Sequence, residues 1–320
     1  MKKIMSVVLA LLLVSAFLTG ATYNEKTQKP IRYRYDINVS SADWFDYTVL
    51  EKSELLRIPQ NILDGMSDLE LLYAIADYPY FGDAFAYGID KDGLDTFAEY
   101  CSAFNELRSR DSFIESLNRY GKAVIQEYES DSNDSFNKLR AELIGDLVAF
   151  YNASHEPTRE SYIYVYTPNG TPVTAILRDE IHEGEYYHYP KDQYYITTYG
   201  VTLLSAGTCI YNCHAYAWSY PSPSCPYWIN NPSNYMTDGS YSQVFSGSAS
   251  SYLSSYNVHV NDIIYYPNGT HSARLTGNPN SGQQLGYIQA TSKWGDSGLF
   301  SHAVNNVPAA WQGTTFSIWH

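Results

Sequence analysis

Cys213 and His271 are the two side chains of this chain best suited to covalent chemistry. A thiolate is a strong nucleophile, and an imidazole within reach can take its proton and return it to a leaving group. Cys213 lies in "IYNCHAYAWSY" (210–220), where Asn212 offers an N-cap side chain and the following CHAYAWSY run lacks glycine until Pro221 stops it. A helix that starts at Cys213 puts the thiol at the positive end of the helix dipole, which is expected to lower its pKa. His214 follows the thiol directly and would point away from it along a helix, so it is a poor partner. The better base is downstream, in "VHVNDIIYYPNGTHSARLTG" (258–277). There a strand from Ile263 to Tyr266 turns at Asn268-Gly269 and returns as His271 to Leu275. Alternation puts His271, Ala273 and Leu275 on one face, expected to be the core face on which the cysteine helix packs.

A third group would orient the imidazole. In "LGYIQATSKWGD" (285–296), Ser292 shares the face of Ile288 and Ala290, while Gln289, Thr291 and Lys293 take the other. Parity therefore selects Ser292, with Gln289 or Asp296 as alternatives if the strand bulges. His302 is read either as a second residue of the site or as a structural one.

Elements to position these groups are legible in outline. Lys2 and Lys3, an apolar run from Ile4 to Leu18 and small residues to Ala21 have the order of a secretory signal peptide (1–21), and the apolar part is short for a membrane span. Residues 22–45 read as a polar linker or arm. Residues 46–155 read as a helical domain of unknown role: Ser67 and Glu70 have capping-box spacing, and Leu71, Leu72 and Ile75 follow before Pro79. Leu94, Phe97, Cys101, Phe104 and Leu107 step as one helical stripe, with Cys101 as a buried hydrophobe, and Leu139, Leu143, Leu147 and Phe150 repeat the pattern. After His155 the texture turns to Tyr, Ile, Val and Thr with the turns "TPNGTP" (167–172) and "YPNGTH" (266–271). The expected fold class is α+β over 156–320, preceded by a small all-α domain.

Composition narrows the partners. The formal charge of -14 makes nucleic acid and anionic lipid poor candidates, since both are bound through lysine and arginine. The 32 tyrosines suit wet binding surfaces, or half-exposed strands in a lysine-poor exported protein. The loop "PSPSCPYWINNPSNYMTDGSYSQV" (221–244), with Tyr227, Trp228, Tyr235 and Tyr241, would either wall a groove or pack as an ordinary loop.

A cysteine at a helix start, an "xDxIYY" strand and a histidine opening the next strand together resemble the CHAP-type members of the papain-like cysteine amidohydrolase and peptidase clan. The blocks "YNCHAYAW" and "SKWGDSGLFSHA" (292–303) are also similar to an uncharacterised secreted bacterial group. The resemblance covers about residues 200–305. It implies a papain-like fold with Cys213 as nucleophile, His271 as base and a polar residue, here Ser292, orienting the ring. Asp262 matches the aspartate that opens the family's strand, whereas Asn261 stands where the family has glycine. It further implies a secreted enzyme, cell-wall associated in one version, that hydrolyses an amide bond in a peptide or peptidoglycan-like substrate. No metal, organic cofactor or stable membrane anchor is implied.

Four rivals remain. Cys209, Cys213, His214 and Cys225 include zinc-type ligands, although paired-knuckle spacing is missing. A Cys209–Cys225 disulfide would leave Cys213 free, whereas a disulfide through Cys213 would end the catalytic reading. The chain could also be an inactive surface or cell-wall binding protein, or a transglutaminase-like acyl transferase using the same cysteine–histidine pair.

Overall fold

In the computed structural model, the residues described are 31–35, 47, 49–86, 90–130, 135–152, 161–178, 189–219, 226–266, 270–308, 311–312 and 315–320. The expected signal peptide, the turn at Asn268-Gly269 and Cys225 lie outside them. The chain divides into residues 1–31, of which only Ile31 is described, and one compact unit over 32–320.

The architecture is α+β. Helices come first: α1 (Val49–Leu55), α2 (Gln60–Leu63), α3 (Asp68–Ala76), α4 (Asp90–Tyr100), α5 (Ser102–Ser109), α6 (Phe113–Ser130) and α7 (Ser135–Asn152). The Ser67 hydroxyl accepts from the Glu70 N–H while the Glu70 carboxylate accepts from the Ser67 N–H, so α3 starts with a full capping box. Leu71, Leu72 and Ile75 are buried below it. The expected single stripe from Leu94 to Leu107 is corrected to two helices. Cys101 sits between them as the N-cap of α5, with φ -97° and ψ 99°, although all five stripe residues are buried. Periodicity survives the break because the chain resumes with the same side facing the core. Within the segment read as an arm, Arg32 pairs with Glu127 and lies over the Tyr73 and Tyr128 rings, and Tyr35 donates to the Ala74 carbonyl.

A hairpin of β1 (Ser161–Tyr166) and β2 (Pro172–Leu177) follows, with Gly170 at φ +85° in its turn. Beyond α8 (Tyr189–Tyr199) the chain builds an antiparallel sheet of seven strands. In chain order these are β3 (Thr202–Ser205), β4 (Gln243–Gly247), β5 (Ile263–Tyr265), β6 (Ser272–Leu275), β7 (Gln289–Lys293), β8 (Leu299–Ala303) and β9 (Phe316–Trp319). Their spatial order is β3-β8-β7-β6-β5-β9-β4. Two short helices, α9 (Cys213–Trp218) and α10 (Ser233–Thr237), lie between β3 and β4 in sequence.

The central strand β6 is buried at all four residues, so both sheet faces are covered. On one face, α9 packs with Val173, Ala175, Ile229 and Tyr235. On the other, Ala273, Leu275, Ala290 and Phe300 belong to a hydrophobic cluster that continues into the helices of 49–152. Tyr194 and Tyr195 of α8 make that connection, reaching Asp83 and the Gly82 carbonyl in the 3-10 turn Phe81–Phe85. Glycine is required there, because a Cβ on Gly82 would sit 2.4 Å from the Tyr194 ring.

Candidate active site

Asn212 fixes the start of α9. Its Oδ1 accepts from the N–H groups of Ala215 (3.0 Å) and Ile229 (3.2 Å), and its Nδ2 donates to the Ile229 carbonyl (2.9 Å). A side chain with both an acceptor and a donor is needed, which asparagine supplies from two separate atoms and an ionised aspartate would not. The first residue of the helix is therefore held still, and that residue is Cys213. Its thiol is free and nearly buried, at 6 % exposure. The rival in which Cys213 is tied in a disulfide is thereby set aside.

The helix does not pack where alternation placed it. The Ser272 hydroxyl meets His214 Nδ1 at 2.8 Å and accepts from Trp218 Nε1 at 2.9 Å, so α9 lies over the Ser272 face of β6. The face of Ala273 and Leu275 belongs to the opposite cluster. Both sides of β6 are buried, Ser272 and Arg274 included, so its alternation of polar and apolar residues does not tell which side a helix takes. Cys213 instead approaches at the strand end. The pairing of β6 with β7 covers Arg274↔Thr291 and Leu275↔Ala290, and beyond it the Ser272 N–H is near enough to favour the thiolate form of Cys213. That puts the thiol beside the backbone of the residue that follows His271.

His271 is completely buried and stacks on Trp311, with ring centroids 3.7 Å apart and planes inclined by 4°. Its Nε2 lies 2.9 Å from the Ser292 hydroxyl. Ser292 in turn lies 2.7 Å from His302 Nε2 and accepts from Trp294 Nε1 at 2.9 Å. Ala290↔His302 and Ser292↔Phe300 are cross-strand pairs of β7 and β8, which brings His302 to the same face as Ser292. Neither Gln289, which pairs with Ala303 and is exposed, nor Asp296, which pairs with Lys191, takes this place.

Donor and acceptor logic settles the proton positions in this chain. The Ala303 carbonyl only accepts, so His302 Nδ1, 2.9 Å away, carries a proton. Burial lowers the His302 pKa to about 4, so the ring is neutral near pH 7 and its Nε2 is an acceptor. The Ser292 hydroxyl must then donate to His302, and its oxygen accepts from Trp294 and from His271 Nε2–H. His271 Nδ1 is left with a lone pair, and it has no hydrogen-bond partner among the described residues.

The electrostatics differ from the expectation of a helix-activated thiol. Burial pushes the Cys213 thiol up to about 11, against the opposing pull of the N–H groups of Ser272 and His214 and of the Lys293 ammonium. Burial also holds His271 well below the ordinary imidazole range, with the neighbouring His302 and His214 adding to the effect. Taking a charge out of water outweighs a six-residue helix dipole here. At rest the thiol of Cys213 and the imidazole of His271 are thus both neutral.

Lys293 is a group that the sequence pattern passed over. It is fully buried on the face opposite Ser292 and donates to the carbonyls of Thr208 (2.8 Å) and Gly295 (2.7 Å). An ammonium so held is a fixed positive charge near the thiol. A lysine in a strand otherwise reads as a solvated side chain, which hid it.

Other candidates are placed as follows. His214 is engaged by Ser272, and among the described residues Cys209, Cys213 and His214 do not converge as metal ligands. The Cys209–Cys225 pairing falls outside the described residues. Trp228 and Tyr235 of the expected groove loop are buried, and Tyr235 and Tyr241 pack against Trp218. These rings are core rather than groove wall. Compared with protein-family models, curated proteins and solved structures, the chain finds no match in any of the three.

Proposed function

We propose that the protein is a secreted cysteine amidase or peptidase of papain-like type, acting on an amide bond in a peptide or peptidoglycan-like substrate. The observation that carries this reading is the bare Nδ1 of His271, fixed as the unprotonated nitrogen by the Ser292–His302–Ala303 chain. In the proposed reaction His271 Nδ1 takes the Cys213 proton as sulfur attacks the carbonyl carbon. The same proton passes to the leaving amine, which departs and leaves a thioester. Water, deprotonated by His271, then releases the acid and restores the thiol. Ser292 holds the ring, Trp311 covers it, and Lys293 stabilises negative charge on sulfur. Secretion rests on the leader pattern, and the substrate class rests on the family resemblance.

A second reading, an inactive binding protein, is favoured by the depth of burial at Cys213 and His271. Alkylation of Cys213 by iodoacetamide against pH, with the label located by mass spectrometry, separates the two when wild type is compared with His271→Ala. Labelling near neutral pH that collapses in the variant supports the dyad. A labelling profile that is the same in both proteins, whatever its midpoint, removes it.

A further inference from the structure

We propose that His259, Asp262 and His320 form a surface site for one divalent transition-metal ion of the zinc type, which clips the loop before β5 to the end of β9. The site is separate from the cysteine centre and does not depend on the activity proposed above.

The three ligand atoms lie within 4.8 Å of one another, although His320 is far from the other two in sequence. The fold places them deliberately. Ile263 pairs with Trp319 in the antiparallel ladder of β5 and β9, so the next rung sets Asp262 opposite His320. The backbone of His320 is held on its other side by reciprocal hydrogen bonds with Ser242, both 3.0 Å. His259 comes to the same point through a tight turn. The Asp262 N–H donates to the His259 carbonyl, and the His259 N–H donates to Asp262 Oδ2 at 2.8 Å. Asn261 closes the turn with φ 76°, a left-handed value that asparagine tolerates better than most residues. Its N–H donates to the Leu275 carbonyl and its own carbonyl accepts from Arg274, which pins the turn to β6.

Asp262 is the buried ligand, with 4 % of its side chain exposed, and each of its oxygens faces one imidazole. Oδ1 is 2.7 Å from His320 Nδ1 and Oδ2 is 4.0 Å from His259 Nδ1. Both imidazoles are about half exposed, so an ion reaches them from solvent and water completes its shell. Two imidazole nitrogens and one carboxylate oxygen suit zinc, nickel or copper, whereas calcium and magnesium require a predominantly oxygen shell. Binding needs only rotation of the two exposed rings, because the carboxylate and all three backbones are already set. The histidine rings already lie close, with centroids 4.9 Å apart. The site is at the end of β5 away from the His271 hairpin, so the ion would tie strands together rather than touch substrate.

The test uses the full chain, free of any histidine tag and stripped with chelator. Zinc chloride is titrated by calorimetry in parallel with thermal melts, for wild type, His259→Ala and His320→Gln. Cobalt(II) spectra report whether thiolates take part. The expected result is one equivalent bound, a melting temperature that rises with zinc, at least tenfold weaker binding in either variant, and cobalt spectra without thiolate charge transfer. His259 is exposed enough that its variant keeps the fold, which the metal-free melt checks. No saturable binding in wild type, undiminished binding in both variants, or a thiolate-bound cobalt spectrum overturns the proposal.

Discussion

Two buried polar clusters in this molecule use similar chemistry to different ends. At the junction of α8 with the 3-10 turn, Asp83 Oδ1 accepts from Tyr194 (3.1 Å) and Tyr199 (2.9 Å), while Oδ2 accepts from Tyr199 (2.7 Å). Both carboxylate oxygens are bonded, and both phenols are driven well above their ordinary range by burial and by that carboxylate. Around Ser292 the hydroxyl is equally saturated, yet the chain it belongs to ends on an open nitrogen at His271. A closed cluster holds structure together. The second ends on His271 Nδ1, which has no hydrogen-bond partner among the described residues.

The largest separation between the two regions is expected in catalysis. Cys213→Ala should lower amide hydrolysis by at least about a thousandfold, as removal of a nucleophile does elsewhere, with the melting curve little changed. Asp83→Asn, measured in the same assay, should leave the rate within about twofold. Equal losses in both variants would erase the distinction.

Stability should show the reverse. Asp83→Ala leaves the buried Tyr199 phenol without its acceptor, while Tyr194 keeps the Pro79 carbonyl at 3.3 Å, a cost of about 2 kcal/mol in urea unfolding. The alkylation profile of Cys213 should stay the same. A destabilisation below about 1 kcal/mol would mean that the tyrosines find other partners and that the cluster is not a structural tie.

Acid sharpens the comparison next. His302 has a folded pKa of about 4 against an ordinary 6.5, so between those values the unfolded chain binds more protons. Stability contributed by the neutral ring is complete above about pH 6.5 and is lost as the pH falls toward 4, by about 3 kcal/mol. Calorimetric melts across that range should show the slope, and His302→Gln should reduce it, leaving the part that the equally buried His271 contributes. In the alkaline direction the Cys213 thiol, protonated up to about 11 when folded, makes stability decline from about pH 9. Cys213→Ala should remove that decline.

The smallest effect tests the orienting group. Ser292→Ala removes the acceptor for His271 Nε2–H, and a loss of about tenfold in the alkylation rate near pH 7 is expected, equivalent to about 1.4 kcal/mol. Restoration by Ser292→Thr would show that the hydroxyl orients the ring. An unchanged rate in Ser292→Ala would place Ser292 with Asp83, as structure alone.

What could be read from the linear chain was local. The Ser67–Glu70 capping box needs only a three-residue spacing, and Asn212 before Cys213 needs only one neighbour. The parity that grouped Ser292 with Ala290 follows from the two-residue period of a strand. These depend on backbone geometry within a few residues, which the chain specifies wherever it sits. Cys101 shows the limit, since a helical stripe of buried residues does not reveal that the helix stops and restarts inside it.

Tertiary structure decided the rest, because it depends on which segments meet and on how much water they exclude. The face of β6 that α9 covers, the arrival of His302 beside Ser292 and the burial that raises the thiol are all set by packing between distant segments. So is the meeting of His259, Asp262 and His320, which is fixed by the β5–β9 register. No spacing in the sequence encodes a desolvation energy or a cross-strand rung. Residue types made Cys213 and His271 candidates, and the surrounding fold determined their protonation states and left one nitrogen open.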